Sequence, residues 1–161
     1  MSTFTIRPLG PQDAPWVAAW LREHWGDATM AIRGELLRPA DYPGFVALIH
    51  NEPVGLATYS ISGAVCELLS LDSLRPGQGI GGALVDAVAA AARAAGCTRL
   101  QLITTNDNLH ALGFYQRRGF RIVGVSPSAV DRARATLKPA IPAVAENRIP
   151  IRDEIELALE L

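Results

Sequence analysis

The stretch 74–85 reads LRPGQGIGGALV, with four glycines in the six positions 77–82, between an apolar approach and an alanine-rich run. Glycines just before a helix leave backbone N–H groups aimed at one point with no Cβ in the way, and the helix N-terminus adds the equivalent of about half a positive charge. Such a loop can hold an anion without a lysine. Gly77-Gln78-Gly79-Ile80-Gly81-Gly82 also satisfies G-x-G-x-x-G literally, so a nicotinamide or flavin dinucleotide is one candidate ligand. The surroundings argue against it. Residues 72–76 separate the approach from the first glycine, and TRLQLITT (98–105) ends in threonines where an acidic residue belongs. A Walker loop is excluded because no Gly-Lys-Ser/Thr is present. A tight strand-to-helix turn that binds nothing is the remaining reading of the loop taken alone.

Working outward, GALVDAVAAAARAAG places Leu84, Val88, Ala91 and Ala95 along one helical stripe, and Gly96 is a natural stop. Upstream, FVALIH (45–50), the turn formers Asn51-Glu52-Pro53 and VGLATYSI (54–61) read as a hairpin, with AVCELLSL (64–71) as the third strand of a meander. FTIRPL (4–9) suits a short strand, and Asp13 can cap a helix running to about Arg22. Residues 23–41 pattern weakly and read as a loop with a short helix. Downstream of the 98–105 strand, a helix spans about Asp107 to Arg118, with Leu109, Leu112 and Tyr115 near one another. Then come GFRIVGV (119–125) and a terminal strand in RDEIELALEL (152–161), where Ile155, Leu157, Leu159 and Leu161 alternate with smaller or polar residues.

The chain has 161 residues, 49% hydrophobic and 19% charged, which predicts one globular domain over 1–161 with a sizeable core. A net charge of -1 and a pI near 6.3 supply no basic field for nucleic acid or an anionic membrane. No secretory leader or bilayer-spanning run is evident, so a cytoplasmic location is expected. Cys66 and Cys97 lack metal-type spacing and do not cluster with His24, His50 or His110. Two reduced core thiols and no metal are expected.

About 25 residues beyond the glycines the chain reads TTNDNLHALGFYQRRGF (104–120). The pair of segments resembles the acetyl-coenzyme A binding core of the GCN5-related N-acetyltransferases (GNAT). That family's first motif, Gln/Arg-x-x-Gly-x-Gly/Ala, is matched by Gly79 and Gly81; its second, Asn-x-x-Ala-x-x-Phe-Tyr-x-x-x-Gly-Phe, by Asn108, Ala111, Phe114, Tyr115, Gly119 and Phe120. The match is strong over 65–120 and one of pattern only in the N-terminal half. It departs at Pro76, which stands where the family opens with Gln or Arg, with Arg75 one place early.

The resemblance implies an α/β GNAT-like acyl-CoA N-acyltransferase fold, a mixed central sheet flanked by helices in the order β-α-α-β-β-β-α-β-α-β-β. It implies acetyl-CoA as co-substrate and direct attack by a primary amine of a small molecule or peptide in a ternary complex. Gly77, Gln78, Gly79, Ile80, Gly81 and Gly82 would hold the pyrophosphate, with Arg75 or Arg117 meeting other phosphates or simply solvated. The backbone of Leu69, Ser70 and Leu71 would pair with the pantetheine arm, in a slot opened by splaying from TRLQLITT, and its amides would face the thioester carbonyl. An alkyl ammonium, with a pKa of about 10.4, must lose a proton before attacking, and Glu67 is the candidate base. Its alternative is an exposed strand residue. Tyr115 is the candidate acid for the departing thiolate, or else a packed aromatic beside Phe114, which reads as core. Asn108 caps its helix, bonds the pantetheine, or both.

Trp16 and Trp20 read as core, while Trp25-Gly26-Asp27 falls where the family builds its acceptor wall. Asp27, Glu35 and Asp72 are unranked candidates to attract a cationic amine. A long insert, 126–150, precedes the last strand, with Ser126-Pro127 starting a helix to about Leu137. It covers the acceptor site or joins a homodimer; the sequence does not choose. A non-catalytic CoA-binding regulatory module and an NAD(P)-dependent oxidoreductase are the alternative functions.

Overall fold

The computed structural model describes residues 3–161. Along the chain the elements are β1 (Thr5–Pro8), α1 (Ala14–Trp25), β2 (Met30–Ile32), β3 (Glu35–Leu37), β4 (Gly44–Ile49), β5 (Glu52–Ser62), β6 (Val65–Ser73), α2 (Ile80–Ala94), β7 (Arg99–Thr105), α3 (Leu109–Arg117), β8 (Arg121–Ser126), α4 (Ala129–Thr136) and β9 (Glu154–Glu160). The described residues fall into two compact units, one of 3–28, Arg38–Leu100 and Glu160–Leu161, the other of Thr29–Leu37 and Gln101–Leu159.

In the first unit the strands run in the order β1-β4-β5-β6, each neighbouring pair antiparallel. The β4–β5 turn is made by His50 and Asn51, both at positive φ, the two-residue geometry whose twist matches that of the flanking strands. This is one residue earlier than the expected Asn51–Pro53. Because β5 side chains alternate, Leu56 faces α1, where it joins Val17, Trp20 and Leu21 in the core. Gly55 faces the other way. A Cβ built there would lie 2.7 Å from Ile80 Cγ2 and 3.0 Å from Leu84 Cδ1, so the missing side chain is what lets the first turn of α2 lie close on β5. Ile80, Leu84, Val85, Val88, Ala89 and Ala92 are buried, whereas Ala95 is exposed and ends the stripe early. Gly96, at φ 85°, closes α2 as expected.

Asp13 holds the N-cap position of α1, yet its side chain makes no cap bond to that helix. It accepts instead from both Arg7 guanidinium nitrogens (2.9 and 3.1 Å), from Trp16 Nε1 (2.6 Å) and from the Gly10 amide (2.7 Å), tying β1 to the helix start. The capping expectation is corrected: the buried carboxylate pairs with the Arg7 charge and closes the 3-10 turn Pro11–Asp13 through the Gly10 amide, instead of bonding an amide of α1.

In the second unit, residues 30–37 form the antiparallel β2–β3 hairpin where a short helix was expected. Arg33 and Gly34, at φ 51° and 76°, make its two-residue turn. The remaining strands run β7-β9-β8, with β8 and β9 antiparallel. Ser126 ends β8 rather than capping the next helix. Ser128, at φ 62°, is the N-cap of α4 and lends no side-chain bond; its amide donates to Asp153 Oδ1 at 2.8 Å. Two side chains order the irregular remainder of the insert. Arg134 donates to the carbonyls of Ile141, Pro142 and Ile151, and Asn106 Oδ1 accepts from the amides of Arg152 and Asp153. The end of the chain is a strand as expected, although its buried set is Glu154, Leu157 and Ala158 rather than the four alternating aliphatics.

Candidate active site

The glycine loop joins β6 to α2 in the first unit. Gly77 and Gly79 both sit at positive φ (78° and 79°), a conformation that costs other L-residues about 1–2 kcal/mol. Gly79 is the N-cap of α2, and the first intrahelical bond is Ala83 N–H to Gly79 O. The amides of Ile80 and Gly81 precede that bond and point out of the helix start. A Cβ on Gly77 or Gly79 would meet nothing within 4 Å, so the space over the loop is open. Beside it the Gln78 side-chain oxygen is buried with no hydrogen-bond partner. Turning that amide presents its N–H₂ group instead, a donor for an anion seated on the loop. Arg75 is exposed next to the loop, and Arg117, in the second unit, is exposed with its guanidinium folded over Gly113. The strand entering the loop closes an antiparallel meander, β4-β5-β6, and not a run of repeated βαβ units such as a dinucleotide fingerprint opens.

The strand itself carries a feature the sequence did not announce. Thr58 pairs with Ser70, but Tyr59 pairs with Leu68, leaving Leu69 as an extra residue in β6. Such a bulge interrupts the ladder and reverses the alternation beyond it. Ser60, Thr58 and Leu56 share the α1 side of β5, so their partners Glu67, Ser70 and Asp72 share it too. Were Leu69 paired in an unbroken ladder, Glu67 would face α2. Leu69, Ser70 and Leu71 therefore surround an irregular point in the backbone, as an oxyanion site on main-chain amides would need. The Ser70 hydroxyl is 2.6 Å from that of Thr58 and fully enclosed, which leaves only its main chain for a ligand. Glu67 is half-buried on the polar row. Cys66 lies on the opposite side, its thiol pushed up to about 12 by burial, an inert core sulfur; Cys97 is also free and buried.

Asp72 ends the row against α1. Its carboxylate accepts from Trp25 Nε1 at 2.8 Å and from Trp20 Nε1 at 3.2 Å. Burial pushes its pKa up, and the two indole donors and nearby His24 pull it back. Among the three acids that sequence left unranked, Asp72 alone is set in an aromatic wall. Glu35 is an exposed residue of β3, and Asp27 follows α1 half-buried.

In the second unit Asn108 is the N-cap of α3, its Oδ1 accepting from the Ala111 amide at 3.2 Å, so the capping reading holds. Tyr115 is buried edge-on between Phe114 and Phe120, with ring centroids 5.1 and 5.3 Å away. Phe114, expected in the core, is only half-buried and lies under the Arg118 guanidinium. A cavity of about 700 Å³ opens among β2–β3, α4, β8 and β9, and a second of about 210 Å³ lies beside it. Both are lined by Ile103, Ala133 and Glu154, and α4 belongs to the insert. Among the described residues there is no cluster able to hold a metal and no helix long and apolar enough to cross a membrane.

The family model described as Acetyltransferase (GNAT) family matches residues 12–120. The chain is 49% identical over 134 residues to the uncharacterized protein YdhI of Bacillus subtilis, covering 83% of each chain. It is 43% identical over 146 residues to the uncharacterized protein YxbD of the same organism, covering 90% of this chain and 91% of that one. Among solved structures it resembles a GNAT family acetyltransferase from Elizabethkingia anophelis with acetyl-CoA bound, at TM-score 0.69 and 22% identity over 98% of both chains.

Proposed function

The chain belongs to the GNAT family of acetyltransferases, and from that premise we propose that it transfers the acetyl group of acetyl-CoA to a primary amine. The observation that carries this reading is the Gly77–Gly82 turn: open above, glycine-lined at two positive-φ positions, and continuous with the helix-start amides that precede the first intrahelical bond of α2. A pyrophosphate suits that charge and shape, because main-chain donors and a helix N-terminus attract it without a cationic side chain. Gly77, Gln78, Gly79, Ile80, Gly81 and Gly82 supply the donors. Pro76 removes only its own N–H, and Arg75, one place early and exposed, stands at the loop's edge.

Acetyl-CoA supplies an activated acyl group whose carbonyl oxygen gains charge during transfer. Leu69–Leu71 provide main-chain donors for it around the bulge, in an environment walled by buried Leu68 and Leu69. Glu67, turned to the Ser70 side by the same bulge, takes the proton of the incoming ammonium directly or through a water. Tyr115 is the proposed proton donor to the leaving thiolate, whose thiol pKa is about 8.5. Asn108 spends its oxygen on the cap and keeps its Nδ2 for the pantetheine.

The test is a thermal-shift and mass-spectrometric assay with acetyl-CoA and a panel of amines. Stabilisation by acetyl-CoA and not by NAD(P)H, with an acetylated product, supports the assignment. Acetyl-CoA binding with no product from any amine would instead make the chain a CoA-binding regulatory module. Gly79→Glu places a carboxylate in the phosphate space and is expected to abolish the acetyl-CoA shift; retention of it would remove the cradle.

A further inference from the structure

The first unit contains two carboxylates set among tryptophans, and they are solved differently. Asp13 is matched: the Arg7 guanidinium spans both its oxygens, and an indole and a backbone amide complete its shell. Asp72 receives two indole N–H groups and, among the described residues, no lysine or arginine. Indole donors orient a carboxylate but bring no charge, and the one titratable group facing it is His24, which packs on the Trp20 ring and makes no bond to the carboxylate. A partly desolvated anion with no lysine or arginine on it is a cost the fold would otherwise shed.

Three further observations point the same way. Trp25, one of the two donors, is the last residue of α1, where the helix end carries partial negative charge and favours cations. Arg22 and His24 occupy the same last turn, yet neither bonds to Asp72. The site is not sealed from solution: Trp20 is buried, but Trp25 is 36% exposed and Asp72 only half-buried. Indole faces beside an anion are a setting in which an organic ammonium gains from both.

We infer that Asp72, held by Trp20 and Trp25, is a subsite for a cationic group of the acceptor, so that the acceptor is an aliphatic amine carrying a second ammonium. This rests on the amine-acetylating reading above. Asp72 lies one to three residues beyond Leu69–Leu71, or about 3–10 Å of strand, which sets the spacing between the reacting nitrogen and the second charge. Short diamines and polyamines meet that spacing; monoamines and acceptors with a carboxylate there do not. Asp72 thus acts in positioning and specificity, one step from the reacting atoms.

The experiment compares 1,4-diaminobutane with butylamine as acceptors. In the wild type, kcat/KM for the diamine is expected to exceed that for the monoamine by about tenfold or more, the value of one partly desolvated ion pair. Asp72→Asn brings the ratio to about one through KM for the diamine, while the acetyl-CoA thermal shift reports that the variant folds and binds its co-substrate. Trp25→Phe keeps a ring and removes one donor, and lowers the ratio in the same direction. A wild-type ratio near one, or a ratio preserved in Asp72→Asn, overturns the inference while leaving the proposed reaction in place. If no amine is acetylated, the proposed reaction fails, and binding decides the subsite separately. Saturable shifts of the Trp20 and Trp25 indole N–H resonances with 1,4-diaminobutane, but not with butylamine, support it, and their absence refutes it.

Discussion

Replacing Gly55 tests whether the glycine loop's helix is held by close contact with the sheet. The ideal Cβ at this position lies 2.7 Å from Ile80 Cγ2, 3.0 Å from Leu84 Cδ1 and 3.1 Å from the Asp72 carbonyl. Ordinary carbon contacts need about 3.5–4.0 Å, so even alanine demands a shift of about 1 Å from Ile80 or Leu84. Both are among the largest fully buried side chains of the molecule. Overpacking of this kind costs about 1–3 kcal/mol, and burial of one methyl returns about 0.8. The net loss is expected near 1 kcal/mol for Gly55→Ala and near 3 for Gly55→Val. With a urea m-value of about 2 kcal/mol/M, the unfolding midpoint falls by about 0.5 M and 1.5 M respectively. Because Ile80 is also the first residue of α2, the same displacement carries its amide away from the loop, and acetyl-CoA affinity falls in the same order as stability. Urea denaturation followed by far-UV circular dichroism and calorimetric titration with acetyl-CoA read the two effects. An unchanged or raised midpoint in Gly55→Val would refute the packing argument; a lowered midpoint with unchanged affinity would uncouple the packing from the cradle.

The Asp13 network makes a pH prediction. Arg7 holds the Asp13 carboxyl well below the usual carboxylate range, so its stabilisation is complete above about pH 4, the unfolded value, and is lost as pH falls from there toward the folded one. Arg7 is 43% exposed and remains solvated when its partner is removed, which limits the loss for Asp13→Asn to about 2 kcal/mol at neutral pH. The variant's stability should also decline less steeply than that of the wild type between pH 4 and 2, as denaturant midpoints across that range will show. Tyr115→Phe keeps the ring between Phe114 and Phe120 and removes the hydroxyl; steady-state kinetics are expected to show kcat reduced on the order of 100-fold with KM for acetyl-CoA little changed. Equal loss in stability and none in kcat would return Tyr115 to packing.

Where local chemistry decides an element, the sequence was readable. The glycines that start α2, Gly96 that stops it and the Asn108 cap were each visible as residues with one conformational use. The β2–β3 hairpin escaped because its strands have three residues each, too short to display alternation, and its turn uses Arg33 at positive φ. Asp13 misled for a different reason: an aspartate before a helix is read as a cap, and only three dimensions bring Arg7 within reach. Of the candidate site, the loop was legible because bare backbone must be written as glycine. The environment of Asp72 was not, since its partners Trp20 and Trp25 stand 52 and 47 positions away. Nor did any residue type mark Leu69 as supernumerary, because a bulge is a property of a pair of strands.

Leu69 also fixes how acidic residues are spaced on this strand. In an unbroken strand, groups that meet the same ligand stand an even number of positions apart. Here Glu67 and Asp72 are five apart, and still look the same way. An odd interval between charged residues, just ahead of a glycine-rich helix start, is therefore a mark by which one inserted residue can be sought in relatives known only as text.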